Sequence, residues 1–117
     1  MAIDTVNRKP VFDNITSGLS GPAIKPIVLR MVWELYDAMN NANMQAPIIG
    51  IGGISCTEDA LEYLMAGAAA IQVGSATFLN PHTMTDIIDG IRQYMKNTGM
   101  SGISEISIRD KQEKGAL

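Results

Sequence analysis

Cysteine and histidine are nearly absent. Cys56 and His82 are the only residues of their kinds. A lone cysteine excludes an intrachain disulfide and a multi-cysteine metal site, and it fits a reducing compartment. Basic residues are in deficit: nine Lys and Arg against twelve Asp and Glu give a net charge of −3. Without a basic stripe the chain offers no footprint for nucleic acid. No apolar run approaches the ~18 residues of a membrane span. The start, Met1-Ala-Ile-Asp-Thr5, lacks the charged lead and apolar core of a secretory signal. A cytoplasmic protein without nucleic-acid or membrane partners is expected. Asp4, Asp13, Glu58 and Asp59 form no recognisable acid/base pair, and no nucleophile–base–orienter set can be assembled.

What is present is a βα pattern. Ile24, Ile27, Val28, Met31, Val32, Leu35, Tyr36 and Met39 recur at spacings of three and four, which predicts a helix over Pro22–Asn40. Pro22 and Pro26 confine its start. Arg30 and Glu34 form an i,i+4 pair on its polar face. Asn40–Gln45 reads as a loop. Pro47–Ile51 and Ala69–Val73 are short apolar runs between turn signals, as expected of strands buried on both faces. Between them Ala60, Leu61, Tyr63, Leu64 and Met65 mark a helix, with Ser55 or Thr57 as its cap and Gly67 as its stop. Pro81–Gly99 predicts a second long helix. Upstream, Met1–Ile3 and Pro10–Phe12 suggest a strand end or hairpin. Downstream, Met100–Leu117 reads as a short ordered segment and a partly frayed tail over 101–117. Strands alternating with helices imply parallel pairing and an α/β class.

Two strand-plus-glycine units carry the chemistry. Ala46-Pro-Ile-Ile-Gly-Ile-Gly-Gly-Ile-Ser55 and Ala70-Ile-Gln-Val-Gly-Ser75 both end an apolar strand in bare backbone. Adjacent parallel strands would present those N–H groups at one sheet end, as the last two loops of a (β/α)₈ barrel do for a phosphate. Gly50-Ile-Gly-Gly53 is not a dinucleotide fingerprint, because G-x-G-x-x-G needs glycine where Ser55 stands. Taken alone, Gly52-Gly53 is more often a tight βα turn, and the second unit reverses the balance toward an anion. The remaining candidates have plainer readings. Cys56 near a helix start should have a lowered pKa, but no basic partner makes it catalytic. His82 reads as a solvated cap, Trp33 as packing, and the eight methionines as core filler.

A family comes into view at Gly18-Leu-Ser-Gly-Pro-Ala-Ile-Lys-Pro-Ile-Val-Leu-Arg-Met-Val32. With Pro47-Ile-Ile-Gly-Ile-Gly-Gly-Ile54, Asp59-Ala-Leu-Glu62, Gly67-Ala68, Gln72-Val-Gly-Ser75 and Asn80-Pro81, it resembles the C-terminal part of the class 1 dihydroorotate dehydrogenases. The Gly-Leu-Ser-Gly-Pro-Ala-Ile-Lys-Pro form is most like the class 1B catalytic subunit. The likeness is collinear from Met1 to about Met100. Ser75 stands where threonine is common, and Ser17 where glycine is common.

The resemblance implies an FMN-binding TIM (β/α)₈ barrel that oxidises dihydroorotate to orotate in pyrimidine biosynthesis. It places Gly21 on the flavin, and Gly52, Gly53, Gly74 and Ser75 on the FMN phosphate through backbone N–H groups. Helices starting near Thr57 and after Ser75 would add their dipoles. The catalytic cysteine, the flavin-contacting lysine and the orotate-binding asparagines match positions upstream of Met1, so no catalytic residue and no metal ligand is assigned here. Cys56 does not inherit the catalytic role. A full barrel takes roughly 250 residues. The expectation is therefore an incomplete barrel in this chain, one C-terminal piece over 1–117 holding the last two strands, their helices and the preceding helix, inactive alone. A homodimer is expected, with an iron–sulfur/FAD electron-transfer subunit if class 1B. The alternatives are a non-catalytic phosphate-binding module formed by self-association of partial barrels, and another FMN barrel oxidoreductase.

Overall fold

A computed structural model of the chain describes residues 1–109. Ile3–Asp4 (β1) and Lys9–Pro10 (β2) form an antiparallel hairpin. The Asp4 carboxylate closes its turn, accepting the Val6 and Asn7 N–H groups at 2.9 and 3.0 Å. Residues 1–20 hold no buried side chain.

A 3₁₀ turn, Pro22–Ile24, leads directly into α1, Lys25–Asn41. The prolines fall where the sequence needs them, in the first turns, where their missing N–H groups cost nothing. Ile49–Ile51 (β3) follows, then α2 (Thr57–Met65), β4 (Ala70–Gln72), α3 (Ala76–Leu79) and α4 (Thr83–Thr98). β3 and β4 pair in parallel, with Ile49 opposite Ala70 and Ile51 opposite Gln72. The β3–α2–β4 crossover is the α/β unit that the alternation predicted. The sheet has two strands and does not close into a barrel among the described residues.

The core lies on one side of that sheet. Val32 of α1, Ala60, Tyr63 and Leu64 of α2, and Ile87 and Ile91 of α4 bury their side chains there with Ile48, Ile54 and Ile106. The expectation that the strands are buried on both faces does not hold. Gly50 is buried against Tyr63, but Ile49 and Ile51 are 53% and 51% exposed. Side chains alternate along a strand, and among the described residues no helix buries Ile49 and Ile51 on the second face.

Two local expectations also change. Neither Ser55 nor Thr57 caps α2; Cys56 occupies the N-cap without a side-chain bond. Ser55 instead donates from its N–H and Oγ to Asp59, each at 2.9 Å. After Gly99, which ends α4 in the left-handed region, the ordered segment is a 3₁₀ turn, Ile103–Ile106. It is pinned by buried Ile106, by Ile108 N–H donating to Met65 O, and by Arg109. The Arg109 guanidinium stacks 3.5 Å over the Trp33 ring and pairs with Asp37. The rest of the expected frayed tail, 110–117, lies outside the described residues.

Candidate functional site

Because β3 and β4 run parallel, their C-terminal ends share one sheet edge. Gly52-Gly53 leaves that edge from β3, and Gly74-Ser75 leaves it from β4. The Gly18–Gly21 loop lies alongside. Together they enclose a cleft of about 250 Å³ whose lining includes Ser20 and all five predicted residues: Gly21, Gly52, Gly53, Gly74 and Ser75.

The loops can meet only because side chains are missing. Gly53 sits at φ 67, and a Cβ there would lie 2.6 Å from Gly21 O and 2.9 Å from Lys25 Cβ. Gly52, at φ 143, would press a Cβ to 3.0 Å from Val28. Left-handed backbone of this kind favours glycine. By contrast, a Cβ at Gly21 or Gly74 would meet nothing within 4 Å, so bare backbone borders open space on the cleft side. Tyr63, fully buried in α2, donates its hydroxyl to Gly52 O at 2.7 Å and steadies the turn from behind. The same burial pushes the Tyr63 pKa up. Ser17, where glycine is common in the family it resembles, is itself at φ 56, a region that glycine enters freely.

A polar cluster lies beneath the cleft. Lys25 Nζ reaches Asp59 Oδ1 at 2.7 Å and Glu62 Oε1 at 3.2 Å. Partial burial opposes the Asp59 charge, but bonds from Lys25, Ser55 N–H and Ser55 Oγ outweigh it and hold the carboxyl well below the usual carboxylate range. The Asp59 bond likewise raises the Lys25 pKa. Cys56 departs from expectation. Desolvation pushes its thiol pKa up, not down, and side-chain hydrogen bonds with Asp59 and Glu58 add to the rise.

The α3 helix is a single turn of four residues, so the second dipole anticipated after Ser75 amounts to one turn of amides. His82 is exposed at the start of α4, as read. Cys56, His82 and Trp33 are not among the residues lining the cleft. Sequence reasoning missed Lys25, Asp59 and Tyr63 as supports. In the sequence Lys25 is one charge at a helix start with no partner in sight, and Tyr63 is one of five residues that mark the next helix. The one local signal was Asp59 at the third helical position of α2, from which a carboxylate can reach back to the backbone ahead of the helix.

Residues 1–95 match the family described as dihydroorotate dehydrogenase. The catalytic subunit of dihydroorotate dehydrogenase B (NAD(+)) from Petrotoga mobilis is 54% identical over 106 residues, which are 91% of this chain and 34% of the relative. The subunit of the same name from Geotalea daltonii is 52% identical, over 91% of this chain and 33% of its own length. The chain thus spans about a third of the length of these curated relatives. Among solved structures, DHODH from Eimeria tenella in complex with ferulenol superposes with a TM-score of 0.69 at 24% identity, covering 85% of this chain and 28% of that one. That likeness fixes the fold as part of a TIM barrel, incomplete here. Sequence and fold agree: the chain belongs to the dihydroorotate dehydrogenase family.

Proposed function

We propose that the glycine cleft is the FMN phosphate cup of a dihydroorotate dehydrogenase. In this reading Gly52, Gly53, Gly74 and Ser75 offer main-chain N–H groups to the phosphate, and Gly21 lies against the flavin. The observation that carries it is the convergence of three separate glycine-bearing segments, 19–21, 52–53 and 74–75, on one cleft of about 250 Å³. Bare backbone suits a phosphate, because amide donors at loop and helix starts favour an anion without a counter-charge. FMN, when bound, supplies the hydride acceptor for oxidation of dihydroorotate to orotate.

β3 and β4 are read as the last two strands of the barrel, and residues 1–117 as its C-terminal piece. No group for proton abstraction is assigned in this chain, so its share of the reaction is to anchor the cofactor and wall off part of the flavin. The relatives' name, catalytic subunit of dihydroorotate dehydrogenase B (NAD(+)), supports a catalytic subunit that works with a partner and NAD⁺; a cytoplasmic homodimer with an iron–sulfur/FAD electron-transfer subunit completes this reading.

Titration of the purified chain with FMN and with riboflavin, read by flavin fluorescence, tests the cup. FMN should bind at least about tenfold more tightly, since riboflavin differs only in lacking the phosphate, and two or three charge-assisted hydrogen bonds are worth that much. Equal affinity for the two flavins would remove the reading. In the same preparation, dihydroorotate should reduce no dye; turnover by a chain of verified mass would overturn the claim of inactivity.

A further inference from the structure

We propose that Lys25 is a positioning and charge-balancing residue for the phosphate cup, an inference that rests on the reading of the cleft above. The start of α2 is an awkward place for an anion. Its first turn already carries Glu58 and Asp59, and Asp59 Oδ2 takes the N–H and the hydroxyl of Ser55, next to the cleft-lining Ile54. An uncompensated carboxylate there would repel a phosphate arriving on the adjacent loop.

Lys25 compensates it. Its Nζ binds Asp59 Oδ1 at 2.7 Å and Glu62 at 3.2 Å, with only 23% of its side chain and 12% of that of Asp59 exposed. Partial burial weakens solvent screening, so each of these charges is felt further than on an open surface.

The same side chain has a mechanical role. Lys25 opens α1, directly after the turn that begins at Gly21, and its Cβ lies 2.9 Å from the Cβ that Gly53 lacks. The Lys25–Asp59–Ser55 chain of bonds therefore ties the 18–21 segment to the loop after β3. Tyr63, through Gly52 O, ties that loop to the core. Lys25 touches neither the flavin nor the substrate in this account. It acts through Asp59.

The test compares FMN with riboflavin on the full chain and on four variants, with melting temperatures recorded in parallel. Lys25→Met keeps the length and removes the charge; the ratio of FMN to riboflavin affinity should fall about tenfold. Lys25→Arg should retain most of the ratio. The double variant Lys25→Met with Asp59→Asn should recover most of it, because the partly buried carboxylate is gone and Glu62, which also loses Lys25, is 44% exposed and screened by water. Tyr63→Phe, which deletes one hydroxyl and keeps the ring, should lower the ratio more modestly; it decides the mechanical part if Lys25→Met does not fold. Equal losses for both flavins, or a lowered melting temperature with an unchanged ratio, would make Lys25 merely structural and overturn the proposal. Failure of the double variant to recover would overturn the charge-balancing role. A wild-type chain that does not distinguish the two flavins would instead remove the phosphate reading, and this proposal with it.

Discussion

At the scale of single residues, the Asp59 carboxylate is the most perturbed acid described. It is held charged against partial burial by Lys25, Ser55 N–H and Ser55 Oγ. Its folded pKa lies below the ordinary 3.8, so it stabilises the fold above that pH, and the contribution is lost as pH falls through the depressed value. Lys25 works in the opposite sense. Its raised pKa means that its contribution is complete below 10.5 and is lost only as pH climbs past the folded value. Between those limits the pair is intact. Asp59→Asn should therefore cost about 2 kcal/mol near neutral pH, a value discounted for residual exposure. The penalty should shrink below about pH 4, where the carboxyl of the unfolded wild-type chain takes up a proton that the folded one still refuses. Urea midpoints of both proteins from pH 2.5 to 8 measure it; parallel curves would show that the pair contributes nothing. Four of the five cleft residues, Gly52, Gly53, Gly74 and Ser75, were legible because two adjacent strands end in glycine, whereas Gly21 was placed only through the family resemblance. Lys25 and Asp59 were not, because they are 34 positions apart and each alone reads as a solvated charge.

At the scale of elements, α1, α2, α4 and both strands of the parallel sheet were legible from spacing and punctuation, whereas the single turn of α3 was implied only by the resemblance and the contacts between elements were not legible. Gly90 illustrates the gap. In the middle of α4 it reads as a defect, costing about 1 kcal/mol against alanine. In the fold, a Cβ at that point would overlap the Thr57 side chain at the start of α2, so the glycine permits the close crossing of the two helices. Gly90→Ala sets two effects against each other: a gain of about 1 kcal/mol in helix propensity and an overpacking cost of about 1–3 kcal/mol. The clash is with a β-branched side chain whose rotamers are restricted, so the cost should prevail, with a net loss of about 1 kcal/mol in chemical denaturation. Adding Thr57→Ala, which removes both the Oγ1 and the Cγ2 that such a Cβ would meet, should recover part of it. A stabilised Gly90→Ala protein would show that the helices can separate freely. Trp33 shows the same limit: its place in packing could be read, but its partner Arg109, far along the chain, could not.

At the scale of the whole molecule, the described structure is more spread than a self-sufficient domain. Its radius of gyration is 17.7 Å, against about 13 Å for a compact chain of this length. Apolar side chains are exposed on several sides: Ile27 and Met31 on α1 at 58% and 59%, Ile49 and Ile51 on the sheet, and Met84 and Ile88 on α4 at 50% and 48%. Single exposed apolar residues are ordinary, but stripes on two helices flanking a two-stranded sheet with unpaired edges are the pattern that associates. In a (β/α)₈ barrel these surfaces are covered by neighbouring βα units, and the chain spans about a third of its relatives' length. Alone in solution it should therefore self-associate as concentration rises. The α1 stripe can be separated from the core, because Val32 on the other side of that helix is buried while Ile27 and Met31 are not. Ile27→Glu with Met31→Lys places an i,i+4 Glu–Lys pair on the stripe, worth a few tenths of a kcal/mol in its own right. It should reduce the mass seen by light scattering without lowering the melting temperature, whereas Val32→Glu should unfold the chain. If the wild type remained monomeric at every concentration, the exposed stripes would be tolerated by water and association would not be their consequence. If the double variant lost stability along with mass, the stripe would belong to the chain's own core and the division between its buried and exposed faces would be wrong.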